Sequence, residues 1–179
     1  MIALNLLQEA EVVFFSFNIG REKACLFPTL FLSHPLSSDY RRFKIRSLKT
    51  PNDVAMMKEM LDRRFAHINE STSNKSDESF SSIPQLLVID GGKTQLMAVR
   101  KVISSKQIPM PYIGLAKREE EIIVPIIEDQ KTTTQRFRTI KLPYDSPALH
   151  LLQHIRDEAH RFAKKYHVLL RKKNVTGKV

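Results

Sequence analysis

The chain has 179 residues, of which 42% are hydrophobic and 27% charged, the profile of a soluble globular domain with room for a sizeable core. Its 29 Lys and Arg against 19 Asp and Glu give a net charge of +10, which favours a polyanionic partner, nucleic acid or an anionic membrane surface. The single Cys25 excludes a disulfide framework and a cysteine metal cluster, apolar stretches such as residues 12–17 are far too short to span a bilayer, and the first residues lack a signal-peptide pattern, so a cytosolic chain is expected.

Residues 1–9 read as a short lead-in, and the Val- and Phe-rich run 11–17 as a first strand. After a turn at Asn18-Ile19-Gly20, residues 23–32 read as a second strand, with Pro28 marking an edge or a bulge. Residues 33–38, with Pro35, read as a loop. A third strand follows over 40–46, placing Tyr40, Arg42, Lys44 and Arg46 on one strongly basic face. Three strands before the first good helix point to an antiparallel meander. Thr50 and Pro51 are the expected cap and first-turn residues of a helix with Val54, Met57, Leu61, Phe65 and Ile68 on one stripe. Residues 69–82 hold six serines and almost no apolar side chain, the composition of a mobile loop.

The most informative stretch comes next. Residues 86–89 are all apolar, as in a strand buried on both faces, and the run ends in Asp90 followed by Gly91 and Gly92. Leu96, Val99, Val102 and Ile103 then recur at helical spacing, so the unit reads strand, tight turn, helix over 85–90 and 93–105. Asp90 therefore sits at the carboxyl end of a strand, where open α/β sheets bind ligands. It has two readings there: a carboxylate that holds a hard divalent cation, or the first residue of an Asp-Gly turn. Residues 112–116 read as another strand, the charged run 118–121 as a solvated turn, and 122–127 with 137–142 as a hairpin. Ser146 and Pro147 open a long helix whose stripe is Ala148, Leu152, Ile155, Ala159, Phe162, Tyr166 and Leu169. Residues 151–179 carry eight Lys or Arg and two acids, which makes the other face of that helix cationic.

Several motifs are excluded. Gly92-Lys93-Thr94 resembles the end of a phosphate-binding loop, but the glycine required five places earlier is Leu87. Without such a loop, Asp157-Glu158-Ala159-His160 is no helicase box. His150 and His154 have zinc-protease spacing, but Leu151 stands where the Glu belongs. No Gly-x-Ser-x-Gly elbow is present. His160 lies beside the apolar stripe with Arg156 one turn earlier, where a histidine is more often a partly buried surface residue than a ligand. Metal-assisted phosphodiester hydrolysis needs oxygen ligands from more than one element. Asp90 alone does not suffice, and His160, Asp157 or Glu158 are the helix residues that stand to add to it.

Five blocks carry a family resemblance: residues 38–45 (SDYRRFKI), 89–95 (IDGGKTQ), 113–117 (IGLAK), 145–153 (DSPALHLLQ) and 156–163 (RDEAHRFA). In this order they resemble the UvrC family, the incising subunits of bacterial nucleotide excision repair, over roughly residues 38–173. The similarity is to the carboxyl-half endonuclease domain. It implies an α/β, ribonuclease H-like mixed sheet, here a three-strand antiparallel meander plus parallel strands, flanked by helices. It implies divergent strands over 1–37, the endonuclease domain over 38–173 with the serine-rich loop 69–82, and a tail over 174–179. It also implies incision on the 5′ side of a DNA lesion with Mg²⁺ or Mn²⁺, with Asp90 and His160 in the catalytic and metal-binding set. Arg42, Lys44, Lys93, Lys117 and Arg161 are the candidates for phosphate contacts.

The family pattern also has an Asp in the first strand; here the stretch reads Phe14-Phe15-Ser16-Phe17-Asn18-Ile19-Gly20, Ser16 is the best candidate for that position, and no carboxylate lies between Glu11 and Glu22. The expected partners are DNA and, by family, UvrB. The family's UvrB-contacting segment, its 3′-cutting nuclease domain and its helix-hairpin-helix pair are expected to lie outside this chain. Two alternatives to an active nuclease stay open: a DNA-binding module of the same fold, and a remnant of a split gene. The expected location is the bacterial cytoplasm.

Overall fold

The computed structural model describes residues 11–17, 24–27, 29–31, 34–35, 41–45, 52–66, 83–116, 120–126 and 136–176. They form nine strands and three helices: β1 (Glu11–Phe17), β2 (Ala24–Phe27), β3 (Thr29–Phe31), β4 (His34–Pro35), β5 (Arg41–Lys44), α1 (Asp53–Ala66), β6 (Leu86–Asp90), α2 (Lys93–Ser105), β7 (Tyr112–Ala116), β8 (Glu121–Ile126), β9 (Arg136–Ile140) and α3 (Pro147–Thr176). The expected lead-in, the serine-rich loop and the tail 177–179 lie outside the described residues.

The strands make one mixed sheet in the order β4-β3-β1-β6-β7-β8-β9, with β2 and β5 extending the β1 side. Two neighbouring pairs at its centre, β1–β6 and β6–β7, are parallel. The other pairs are antiparallel. The expected meander is present: β1 pairs with β2 and β3, and β2 pairs with β5. Ser16 opposes Leu26 in β2 and Val13 opposes Thr29 in β3; Pro28, expected at an edge or a bulge, lies between these strands and outside the described residues. On the outer side the partner changes at the same point, from β5 along 24–27 to β4 along 30–31. His34 and Pro35, expected in a loop, form that two-residue strand, in keeping with proline at a sheet edge.

Each helix covers the sheet with described residues of the stripe that its spacing predicts; Ile68, and the side chains of Tyr166 and Leu169, lie outside what is described. On one face, Met57, Leu61 and Phe65 of α1 and Leu96, Val99 and Val102 of α2 pack with Leu87 and Ile89 of β6. On the other, Leu152, Ile155 and Ala159 of α3 pack with Phe14, Val88 and Leu115. Burying each large apolar side chain contributes roughly 1.5–3 kcal/mol, so these stripes decide which face of each helix meets the sheet. The cap of α1 differs from expectation. Asn52, not Thr50, caps it: the Asn52 Oδ1 accepts from the Ala55 backbone N–H at 3.0 Å. Thr50 and Pro51 lie outside the described residues. The first residue of α3 is Pro147, as expected, and its Ser146 carbonyl accepts from the His150 N–H at 3.1 Å. Leu149, absent from the predicted stripe, is among the most deeply buried side chains of that helix.

At the carboxyl end of β6 the chain turns tightly against β7. The Gly91 N–H donates to the Leu115 carbonyl at 3.2 Å, and a Cβ on Gly114 would lie 2.6 Å from the Gly91 carbonyl oxygen. Only a residue without a side chain fits there. Gly114→Ala is expected to push the turn away from β7 and lower the unfolding free energy by about 1–3 kcal/mol, the usual cost of overpacking, as read from urea denaturation.

Candidate active site

Asp90 closes β6 with its side chain only 3% exposed. By the alternation of the strand it shares a face with Val88, the face that α3 covers. Helix α3 is held there by Leu152, Ile155 and Ala159, and the residue after Ala159 is His160. The His160 Nε2 lies 3.2 Å from Asp90 Oδ2. The structure thus joins two side chains 70 positions apart, one from the middle of the sheet and one from the last helix. An ionised carboxylate only accepts, so His160 carries a proton on Nε2 whenever this bond is made. Its ring is 28% exposed, so the pair opens to solvent on the imidazole side.

The backbone beyond Asp90 is held with equal care. Gln95 reaches back from the first turn of α2, and its Oε1 accepts from the Gly92 N–H at 3.1 Å. This is one half of a capping box, with glycine at the cap. Lys93 stands exposed at the first position of α2, directly after the two glycines.

Residue 16 of β1 occupies a telling register. Phe15 is level with Ile89 in the parallel β1–β6 pair, so the next step sets position 16 level with Asp90. The residue there is Ser16, and β1 holds no carboxylate other than Glu11 at its far end. Among the described residues no group of three or more His, Cys, Asp or Glu is assembled.

The remaining candidates separate. Arg42 and Lys44 lie on β5, as register partners of Leu26 and Ala24. Lys117 lies outside the described residues. Arg161 is engaged within its own helix: its Nε and Nη2 donate to Glu158 at 2.6 Å each. Neither acid beside His160 turns to Asp90 in the pairs described. Glu158 holds Arg161, and Asp157, 72% exposed, pairs with Arg156 at 3.6 Å. His150 and His154 form no metal pair: His154 is exposed, and the His150 Nε2 bonds the Tyr144 carbonyl at 2.8 Å, tying down the turn before α3.

Of the charged run 118–121, expected as a solvated turn, Glu120 and Glu121 are described, and both are paired. Glu121 pairs with Lys141 at 3.3 Å. Glu120 accepts on both carboxylate oxygens from the Arg156 Nη1, at 2.6 and 2.8 Å, in a pair where both side chains are mostly buried. Its φ of 52° is left-handed, which costs a residue with a Cβ about 1–2 kcal/mol. Burial opposes the charge on Arg156, but the hydrogen bond and charge of Glu120, helped by Asp157, outweigh it and raise the guanidinium above its ordinary pKa. The raised value means that Arg156 loses its proton, and the pair its strength, only as pH climbs beyond the ordinary arginine range. This pair is invisible to helical or strand spacing, because its members lie 36 residues apart.

The mixed sheet covered by helices on both faces makes the chain α/β, and its family match makes it ribonuclease H-like. Residues 30–163 match the family described as the UvrC RNAse H endonuclease domain, and the chain belongs to that family. Among its relatives, the UvrABC system protein C of Dehalococcoides mccartyi is 40% identical over 141 residues, 78% of this chain and 21% of that protein. That of Methanosphaera stadtmanae is 42% identical over 146 residues, 81% of this chain and 23% of the relative. That of Chlorobium phaeobacteroides is 44% identical over 134 residues, 75% and 18% respectively. The chain thus spans about a fifth of the length of the curated relatives it matches. No helix among the described residues is long and apolar enough to cross a membrane.

His160→Ala takes the imidazole donor from a buried carboxylate, so in chelator-treated protein it is expected to cost about 1–3 kcal/mol in urea unfolding. Adding Asp90→Asn is expected to recover most of that loss, because the amide carries no buried charge.

Proposed function

We propose that this chain is a DNA-incising domain that acts, as part of a UvrABC excision system, on the 5′ side of a lesion with Mg²⁺ or Mn²⁺. The observation that carries this reading is the 3.2 Å contact between Asp90 Oδ2 and His160 Nε2 at the carboxyl end of a central strand. A buried carboxylate oxygen facing an imidazole nitrogen is a donor set suited to a divalent cation, and the second carboxylate oxygen, Oδ1, is buried beside it. Asp90 and His160 would hold the ion, and a cation bound there supplies charge stabilisation at the scissile phosphate. The fit is lean, since the described residues bring one carboxylate and one imidazole.

The chain's own groups have distinct parts in this reading. With no ion bound, Asp90 orients the imidazole through Oδ2; a cation held between them would take the place of the Nε2 proton, so His160 would serve either as a ligand or, with the ion on Asp90 alone, as a proton-transfer group. Lys93, first in α2 after the glycine turn, offers positive charge to a phosphate next to the site. Arg42, Lys44 and Lys117 extend the phosphate contacts, with Arg161 contributing if it leaves Glu158. DNA is the partner that the net charge of +10 suits, and UvrB is the protein partner inferred from membership in the family.

One observation favours a second reading, a DNA-binding module that does not cut. Position 16, level with Asp90 in the β1–β6 register, is Ser where the family pattern has Asp. The two readings part in a nicking assay on lesion-bearing duplex with Mn²⁺. Incision that Asp90→Ala abolishes, falling by about a hundredfold or more, is the expected outcome. Incision that survives Asp90→Ala would place the chemistry elsewhere. Duplex binding without incision would establish the second reading; its affinity should fall steeply with salt, by a logarithmic slope of about 0.9 per phosphate neutralised.

A further inference from the structure

The function proposed above needs His160 to stay against Asp90, yet His160 projects from a helix that touches the sheet mainly through apolar side chains. Apolar packing is non-directional and tolerates small slides and rotations. A 3.2 Å contact between two polar atoms does not. Some polar tie near His160 must therefore set the helix to within a fraction of an ångström.

Arg156 is placed to provide it. It precedes His160 by four residues, so the two side chains lie one above the other on the same face of α3. Its Nη1 donates to both oxygens of Glu120, and burial of the pair shields it from salt and water. Glu120 stands immediately before β8, whose first residue, Glu121, is the register partner of Ala116 at the end of β7. Leu115, the residue before Ala116, is in turn the partner of Asp90. The tie thus runs from α3 to the same edge of the sheet that presents the carboxylate, and it closes a loop of contacts: Asp90, β7, Glu120, Arg156, α3, His160.

We propose that Arg156 is a positioning residue, which through Glu120 locks α3 to the β7–β8 turn and so sets His160 in hydrogen-bonding distance of Asp90. Arg156 touches neither member of the pair in the bonds described, and it acts on them through the helix. This inference rests on the reading of Asp90 and His160 as a cation-holding pair for its consequence in binding, but not for its geometry.

The test uses the whole chain, with the imidazole ¹⁵N resonances of His160 as the first readout. In chelator, Asp90→Asn sets the signature of a His160 released from the carboxylate. Arg156→Gln and Glu120→Gln are expected to move His160 towards that signature while the resonances of the α1–α2 core stay in place. Arg156→Lys, or the exchanged pair Glu120→Arg with Arg156→Glu, is expected to bring it back. Should Arg156→Gln not fold, Glu120→Gln carries the same readout. The second readout is Mn²⁺ affinity, expected to fall about 10- to 100-fold in Arg156→Gln, the size of effect seen when a group supporting a metal ligand is lost. A variant that lowers the melting temperature but leaves His160 at its wild-type resonances would overturn the proposal and leave Arg156 as a stabilising residue only. Wild-type protein that binds Mn²⁺ no better than Asp90→Ala would instead overturn the cation-site reading, and the resonance experiment would still decide whether Arg156 positions His160.

Discussion

The arrangement rests on one contact, Asp90 with His160, and on the cost of making it. A carboxylate 3% exposed is stable only with polar partners, because burying an ion without them is expensive. The imidazole is the partner that the last helix brings, and it arrives there only if α3 is correct in both rotation and height. A one-residue slip would rotate a side chain by about 100° around the helix axis and remove it from the site. The apolar stripe Leu152, Ile155 and Ala159 sets the rotation, and the Arg156–Glu120 pair sets the height. The turn after β6 is constrained as tightly, by the close approach of Gly91 and Gly114.

This order of causes explains which parts were readable in advance. Helix α2 and strand β7 fall on the expected residues, 93–105 and 112–116, because their periodicity is strong and Gly and Pro bound them. The meander and the β8–β9 hairpin were readable for the same reason, with ends shifted by at most two residues and the second strand divided into β2 and β3. The cap of α1 was misplaced because two overlapping signals compete there: Thr50-Pro51 and Asn52-Asp53 both make acceptable starts, and spacing cannot rank them. The strand β4 is two residues long and leaves no alternation to detect.

The site divides along the same line. Asp90 was legible as a strand-end carboxylate and His160 as a residue beside an apolar stripe, so their meeting follows from topology and helix phase. Arg161, a candidate for a phosphate contact, pairs with Glu158, and the spacing of three residues is the local signal for that pair. Glu120 and Arg156 offered no such signal. Pairs formed across the fold depend on where the turn between β7 and β8 lands, which neither segment encodes alone.

Strand β6 has a further consequence, since its alternate residues serve two separate neighbourhoods. Leu87 and Ile89 look towards a filling rich in methionine, with Met56, Met57, Met60 and Met110, while Val88 and Asp90 look the other way. Thioether chains are pliant and accommodate neighbours of changing shape. A change of shape on that side is therefore separated by the sheet from the Asp90–His160 contact on the other.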